Sequence, residues 1–387
     1  MRVAIVAEYY PRAADPVLGV WAHRQALAAS DAGADVRVLV LHRPVPPKAA
    51  LRRRDPKELV APLRQPLRTE LDGIEVRYVP FLAPPRPRSY GRWGAWAAGP
   101  LALALRRLRR EFPYDLVHAH YAAPAGDAVR RARPGTPYVV SVHGGDVLAV
   151  ARRADGEVPV RKALAGARLV LANSDAIGQR ARALGAADTR VVHLGTDLPP
   201  ECPPGDGAAL VTVANLVARK RHADVLRALW LLRDSHPALA WIVVGDGPER
   251  PALERLAGEL GLSGRLHFTG RLPHVQAVAA AQRGAVFVLP SVDEAFGVAY
   301  VEAMAGGVPA IGSRGEPGPE EIATAGGGIR LVAPGDPEAL ADELRALLGD
   351  HRWRIELGRE ARATVEASFT WPRCGVATVA AYEDALR

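Results

Sequence analysis

Residues 285–313 read AVFVLPSVDEAFGVAYVEAMAGGVPAIGS. The stretch opens on an unbroken apolar, β-prone run, 285–290, and closes on a second one, 308–313. Between them lie a polar loop, 291–294, and a helix-type segment, 298–304, with Gly306 and Gly307 where a helix stop is expected. Strand, loop, helix, strand is the unit of parallel sheets, because parallel neighbours need a crossover between them. Glu294 then falls at the carboxyl end of the strand, where open α/β sheets bind ligands, and Glu302 lies eight positions later inside the helix. The helix start around Phe296, Gly297 and Val298 offers unpaired backbone N–H groups to an anion, and Gly297 lets that anion approach closely. A ligand anionic in its middle and hydroxylated at both ends suits this pattern: phosphates on the amides, and a sugar hydroxyl donating to each Glu. The plain alternative for two Glu around an apolar helix is a solvated face.

Those two Glu are embedded in a longer string, S-x-x-E-A-F-G-x-x-x-x-E-A-M-A-x-G-x-P over residues 291–309. It resembles the E-x7-E signature of retaining glycosyltransferases, family 4. The resemblance implies an α/β chain of GT-B architecture, with two Rossmann-like α/β/α domains whose parallel sheets face an interdomain cleft. It also implies that Glu294 contacts the donor sugar and Glu302 the nucleotide ribose.

Length and composition agree with two domains. A chain of 387 residues is long for one core. The stretch 198–206, LPPECPPGD, is the most linker-like in it. We expect an acceptor-binding domain over residues 1–197, a donor-binding domain over 206–370, and a tail, 371–387, forming the helix that crosses back to the first domain in such folds. Residues 1–200 hold 31 Lys and Arg against 18 Asp and Glu, a net of +13, and the remainder holds 19 against 24, a net of −5. A basic first half suits an acidic partner such as a phospholipid surface, a lipid pyrophosphate or a polyanionic glycan. The low aromatic content, 6%, and the lack of a nucleic-acid motif argue against DNA or RNA. Cys202 and Cys374 are far apart and fit a reducing compartment without a metal-ligand spacing. The N-terminal MRVAIVAEYY reads as a first strand rather than a secretion signal. Nowhere do 18 apolar residues run together, so the expected location is cytoplasmic, with peripheral contact at the inner face of the membrane as a further option.

Along the first half, residues 2–7 and 35–41 read as strands around a loop holding Gly19, which the resemblance places beside donor phosphates and acceptor. Pro-rich pieces at 44–48 and 80–88 flank a basic segment with Arg52, Arg53 and Arg54. Residues 93–110 set Trp93, Trp96, Leu101, Leu105 and Leu108 against four Arg, a pattern that suits either an anionic bilayer or the face of a sheet. Strands are expected at 115–119, 137–142 and 169–173, then a helix capped by Ser174, and a strand at 190–194. His143 follows a strand in His143-Gly144-Gly145-Asp146, where an exposed imidazole can donate to a sugar hydroxyl or to the leaving oxygen. That string resembles the family's active-site His motif, which His118 and His120 lack. The string H-L-G-T-D at 193–197 is similar to the family's P-N-G-V-D.

In the second half, Lys220 and Arg219 follow a strand at 209–213 and can grip a diphosphate, the first as a point charge and the second as a fork. The family carries an Arg where this chain has Asn215. Gly245 opens a G-D-G-P turn after the strand at 241–244, and Gly270-Arg271-Leu272 follows the strand at 265–270, where relatives hold the base. Residues 315–321 only partly match a G-G-x-x-E loop. Helices are expected at 337–348 and 351–366. The resemblance implies transfer of a hexosyl group, with retention, from a nucleotide-diphosphate sugar such as a UDP- or GDP-sugar, and no cofactor. The acceptor would be a hydroxyl on a lipid-linked or cell-envelope glycan. No D-x-D occurs, so a metal-independent diphosphate clamp is expected. Two alternatives stay open at this point: a nucleotide-sugar 2-epimerase, and a non-catalytic partner subunit, which Asn215 and the altered Gly315 loop favour. A pyridoxal-phosphate phosphorylase would need a Lys, and the second half has only Lys220.

Overall fold

A computed structural model describes residues 1–46, 56–200 and 209–387. Arg52, Arg53 and Arg54 of the basic segment, and residues 201–206 of the linker with Cys202, lie outside the described residues. The chain divides into two units, Met1–His193 with Trp371–Arg387, and Leu194–Thr370.

The first unit carries β1 (Arg2–Ala7), β2 (Asp35–His42), β3 (Arg68–Leu71), β4 (Ile74–Pro80), β5 (Leu116–His120), β6 (Tyr138–Val142), β7 (Leu169–Ala172) and β8 (Thr189–Val191). They form one sheet in the order β3-β4-β2-β1-β5-β6-β7-β8, parallel throughout except for the β3–β4 pair. The second unit carries β9 (Ala209–Val213), β10 (Ala240–Val244), β11 (Leu266–Gly270), β12 (Val286–Val288), β13 (Ala310–Ser313) and β14 (Ile329–Val332). Its sheet is all parallel, in the order β11-β10-β9-β12-β13-β14. Runs such as Val3-Ala4-Ile5-Val6-Ala7 and Val286-Phe287-Val288 are 0% exposed, as strands covered by helices on both faces must be. Each order reverses once, between β1 and β5 and between β9 and β12. A crevice opens at the carboxyl ends of the strands flanking such a reversal.

Helices follow from apolar spacing. In Trp93–Glu111 the buried residues Trp93, Ala97, Leu101, Leu105 and Leu108 repeat every three or four positions, so one face covers the sheet. The opposite face leaves Trp96 52% and Leu103 44% exposed. The last helix, Trp371–Leu386, lies on Val20–Asp31 within the first unit, where Gln25 donates to Thr378 at 3.2 Å. It approaches so closely that a Cβ on Gly375 would lie 2.0 Å from the carbonyl oxygen of Ala28.

Helices Glu157–Ala165, Arg250–Glu259 and His274–Ala281 go beyond the sequence expectation, and three further features depart from it. The β3–β4 hairpin turns on Asp72-Gly73, with Leu71 opposite Ile74; both turn residues have positive φ, as a two-residue hairpin turn requires. A helix, Pro317–Ala325, begins within a stretch whose composition reads as loop, because Pro is compatible with a first helical turn. The third is β14. Ser174 does occupy the N-cap of Asp175–Ala183, but its side chain makes no capping bond.

Candidate active site

In the second unit, the loop after β9 and the loop after β12 meet at the reversal point, where the Val292 amide donates to the Arg219 carbonyl at 2.8 Å. The same loops bring Lys220 and Glu294 together, 74 residues apart in sequence, with 9% and 7% exposure. The Lys220 ammonium donates to Glu294 Oε2. Ser291 Oγ donates to the same oxygen at 2.8 Å, and Arg219 Nη1 stands 3.8 Å from it. Burial pushes the Glu294 carboxyl up, but the Lys220 charge and hydrogen bond, then Arg219, outweigh it and hold the group below its ordinary value. Burial also lowers Lys220, with Glu294 opposing and Arg219 adding to the shift. With every donor on Oε2, Glu294 Oε1 has no donor among the described residues.

The Glu294 backbone is fixed as well. Its amide donates to Glu316 Oε2 at 2.9 Å, and its carbonyl accepts from Gly318 N–H at 2.9 Å, tying the loop to the start of Pro317–Ala325. Helix Val298–Ala305 then begins with Gly297 at the N-cap, φ 84°. A Cβ there would lie 2.4 Å from Tyr300 Cδ2, so only glycine fits. The Val298 and Ala299 amides precede the first bond of the helix, from Tyr300 N–H to the Gly297 carbonyl at 2.9 Å, and are suited to an anion. Phe296 is buried edge-on against Phe369, centroids 5.5 Å apart, and anchors the turn instead of presenting its ring to solvent.

Glu302 sits on the same helix, 8% exposed, with His274 Nε2 3.6 Å from Oε1. Burial, then the charge of Asp197, pushes its pKa up to about 7. Its carboxyl receives no side-chain hydrogen bond from the described residues. The remaining donor-site candidates occupy the same carboxyl edge. Asn215 and Arg271 are exposed positions after β9 and β11. Gly245 donates its amide to the Gly270 carbonyl at 2.9 Å. A Cβ on Gly245 would lie 1.9 Å from the Ala214 carbonyl oxygen, so packing between loops accounts for this glycine.

The first unit gathers different chemistry at its reversal point. Gly19 caps Val20–Asp31 against the Tyr9 backbone. Asp146, fully buried, accepts from the amides of Ala122 (2.9 Å), His143 (3.1 Å) and Val147 (3.1 Å), which sets the turn carrying His143. Burial raises its pKa to about 6 against those bonds. The His143 imidazole is half-buried, not exposed as expected. Trp21 lies over it at 4.0 Å, and Nε2 is 3.2 Å from His120 Nδ1. Burial, then His120, pushes His143 well below its ordinary pKa, so the ring is neutral. His118 is held between Tyr382 and Ser141, each at 2.7 Å, a structural arrangement. Around His143 stand Tyr9, Trp21 and Tyr121, rings that no motif in the sequence marks. Their one signal is position: each follows β1 or β5 at the carboxyl edge or opens the helix behind it. Among the described residues, no three His, Cys, Asp or Glu side chains converge to hold a metal ion.

Two family models divide the chain between them. The model described as Glycosyltransferase Family 4 matches residues 18–199, and that described as Glycosyl transferases group 1 matches residues 200–364. A D-inositol 3-phosphate glycosyltransferase 1 from Catenulispora acidiphila is 31% identical, covering 84% of this chain and 84% of its own length. The chain belongs to the family 4 glycosyltransferases. This family 4 glycosyltransferase is also 27% identical to TuaC of Bacillus subtilis (strain 168), named for teichuronic acid biosynthesis, over 95% of both chains. Its fold matches that of Anabaena Alr3699/HepE, crystallised with UDP and glucose, at TM-score 0.72 and 20% identity, over 99% of both chains. Both units of this glycosyltransferase therefore have the α/β architecture of GT-B enzymes.

Proposed function

We propose that this enzyme transfers a hexosyl group, with retention of anomeric configuration and without a metal ion, from a UDP- or GDP-sugar held by the second unit to a hydroxyl of an acceptor held by the first. The observation that carries this reading is the Glu294 carboxyl, set beside Lys220 and the helix start at Gly297 with Lys220 and Ser291 both on Oε2, which leaves Oε1 for a ligand. A sugar hydroxyl donates to Oε1. The diphosphate lies on the first-turn amides, and Lys220, with one of its three protons on Glu294, turns the others to phosphate oxygens. Arg219, 46% exposed, adds a second cation. Glu302 receives the ribose hydroxyls. As the glycosidic bond to the diphosphate breaks, its electrons pass to the leaving phosphate, which these groups stabilise. That phosphate takes the proton of the attacking hydroxyl on the same face, so no separate base is required. His143, neutral, serves as a hydrogen-bond partner for a substrate hydroxyl.

The test is a thermal-shift screen of UDP- and GDP-sugars, where a ligand at 100 times its Kd adds about 2.7 kcal/mol. It is followed by turnover of Glu294→Ala. A shift with one donor class and a turnover loss of about 10²- to 10³-fold with folding retained are expected. Transfer at the parental rate would refute the site.

A lipid-linked or cell-envelope acceptor is favoured by the basic first half and by the outer face of Trp93–Glu111. Trp96 and Leu103 stand exposed there among Arg106, Arg107 and Arg110, a pattern suited to an anionic membrane surface at the cytoplasmic side. No helix among the described residues is long and apolar enough to cross a membrane. Cosedimentation with phosphatidylglycerol vesicles, abolished in Trp96→Ala, is expected; equal recovery with phosphatidylcholine would discount the contact.

A further inference from the structure

At the carboxyl edge of β1 and β5, half-buried rings form a continuous wall. Tyr9 and Tyr121 are 5.0 Å apart between centroids, Tyr121 and Trp21 6.0 Å, and Trp21 and His143 4.0 Å. Tyr121 adopts φ 80° in a non-glycine residue, a conformation that is costly and persists where the surroundings impose it. At the rim, the exposed Arg86 stacks on Tyr90 at 4.0 Å and on Tyr9 at 5.3 Å and donates to the Tyr9 hydroxyl. It makes no ion pair among the described residues. The nearby carboxylate, Glu8, is already occupied: the Tyr90 hydroxyl donates to it at 2.8 Å, and Arg12 supplies the counter-charge. Planar rings suit the apolar face of a sugar or cyclic polyol, and a guanidinium without an acid suits phosphate or carboxylate.

We propose that this wall is the acceptor subsite, and that it takes a sugar or cyclic polyol bearing an anionic substituent. The inference rests on the reading of the first unit as acceptor-binding and names the acceptor's chemical class. The rings hold the carbohydrate ring, Arg86 forks onto the anionic group, and the neutral histidines add no charge of their own. Glu8, held by Tyr90, fixes the Tyr9 and Tyr90 hydroxyls that orient Arg86.

Calorimetric titration of the whole chain with glucose, glucose 6-phosphate, glucuronate and inorganic phosphate tests it. Glucose 6-phosphate and glucuronate should bind about tenfold or more tightly than glucose, the size of one charge-assisted pair, with inorganic phosphate weak. Arg86→Ala, at an exposed position, should erase the preference while leaving glucose binding unchanged, and Arg86→Lys should restore part of it. Trp21→Ala should weaken every carbohydrate. Equal binding of glucose and its charged forms, no detectable binding of any of them, or a preference that survives Arg86→Ala overturns the proposal. Parallel titration with UDP- and GDP-sugars separates the two readings. Donor binding without the charged-sugar preference sinks only the acceptor class. The preference without binding of any sugar nucleotide sinks the transferase mechanism and leaves the subsite.

Discussion

The two carboxyl edges of this chain both hold ionisable groups and treat them in opposite ways. In the second unit, Lys220 and Glu294 meet under a helix start, and the opposite charge holds Glu294 ionised against its burial. In the first, His120 and His143 are packed among rings with no counter-charge, and burial drives both neutral, His120 down to about 3. On the proposed reading, the same fold feature, a reversal in strand order, serves as an electrostatic clamp in one unit and as a neutral stacking surface in the other. A diphosphate leaving group needs the first and a carbohydrate ring the second.

The largest effect that would break the contrast is Lys220→Met. It leaves Glu294 buried without its nearest cation, and unfolding in urea should show a loss of about 3–5 kcal/mol. Because Glu294 is held below its ordinary value, it contributes stability above the usual carboxylate range and loses it as pH falls. Lys220→Met should flatten that acid limb. A change under about 1 kcal/mol, the scale of an exposed ion pair, would mean that Arg219 and Ser291 suffice.

Next in size is the response of Glu302. Its folded pKa, about 7 against an ordinary 4.5, is raised, so its neutral form favours the fold. Stability should fall as pH rises from about 4.5 to about 7, by roughly 1.4 kcal/mol for each pH step crossed. Glu302→Gln should remove that slope, read as melting temperature against pH. Bound ribose hydroxyls would favour the carboxylate, so a bound sugar nucleotide should also shrink the slope. An unaltered profile in Glu302→Gln would contradict the assignment. The smallest effect expected is none: turnover in EDTA should match the untreated rate, and a loss reversed by Mg²⁺ would refute a clamp made of Lys220, Arg219 and amides alone.

Most strands were legible because parallel strands covered on both faces are written as short apolar runs, such as residues 2–7 and 209–213. The β3–β4 hairpin escaped because Arg68-Thr69-Glu70 is charged and half-exposed, although Asp72-Gly73 marked its turn. The helix at Pro317 escaped because Gly315, Pro317, Gly318 and Pro319 all read as loop. The placement of Glu294, Gly297 and Glu302 around one helix start was legible from the strand, loop and helix pattern, while their assignment to a donor site came from the resemblance of the longer string. The partnership of Glu294 with Lys220 was not legible, since it depends on β9 and β12 being neighbours, which local pattern does not state. Tyr9, Trp21, Tyr121 and Arg86 were missed for the same reason: four separate segments become one surface only through strand order.

The most direct measurement is a crystal structure of the chain soaked with the UDP- or GDP-sugar that gives the largest thermal shift. The sugar should donate a hydroxyl to Glu294 Oε1, the diphosphate should rest on Lys220 and the amides after Gly297, and the ribose should reach Glu302. A nucleotide found away from the β9 and β12 edge, or bound with both carboxylates turned to water, would contradict it.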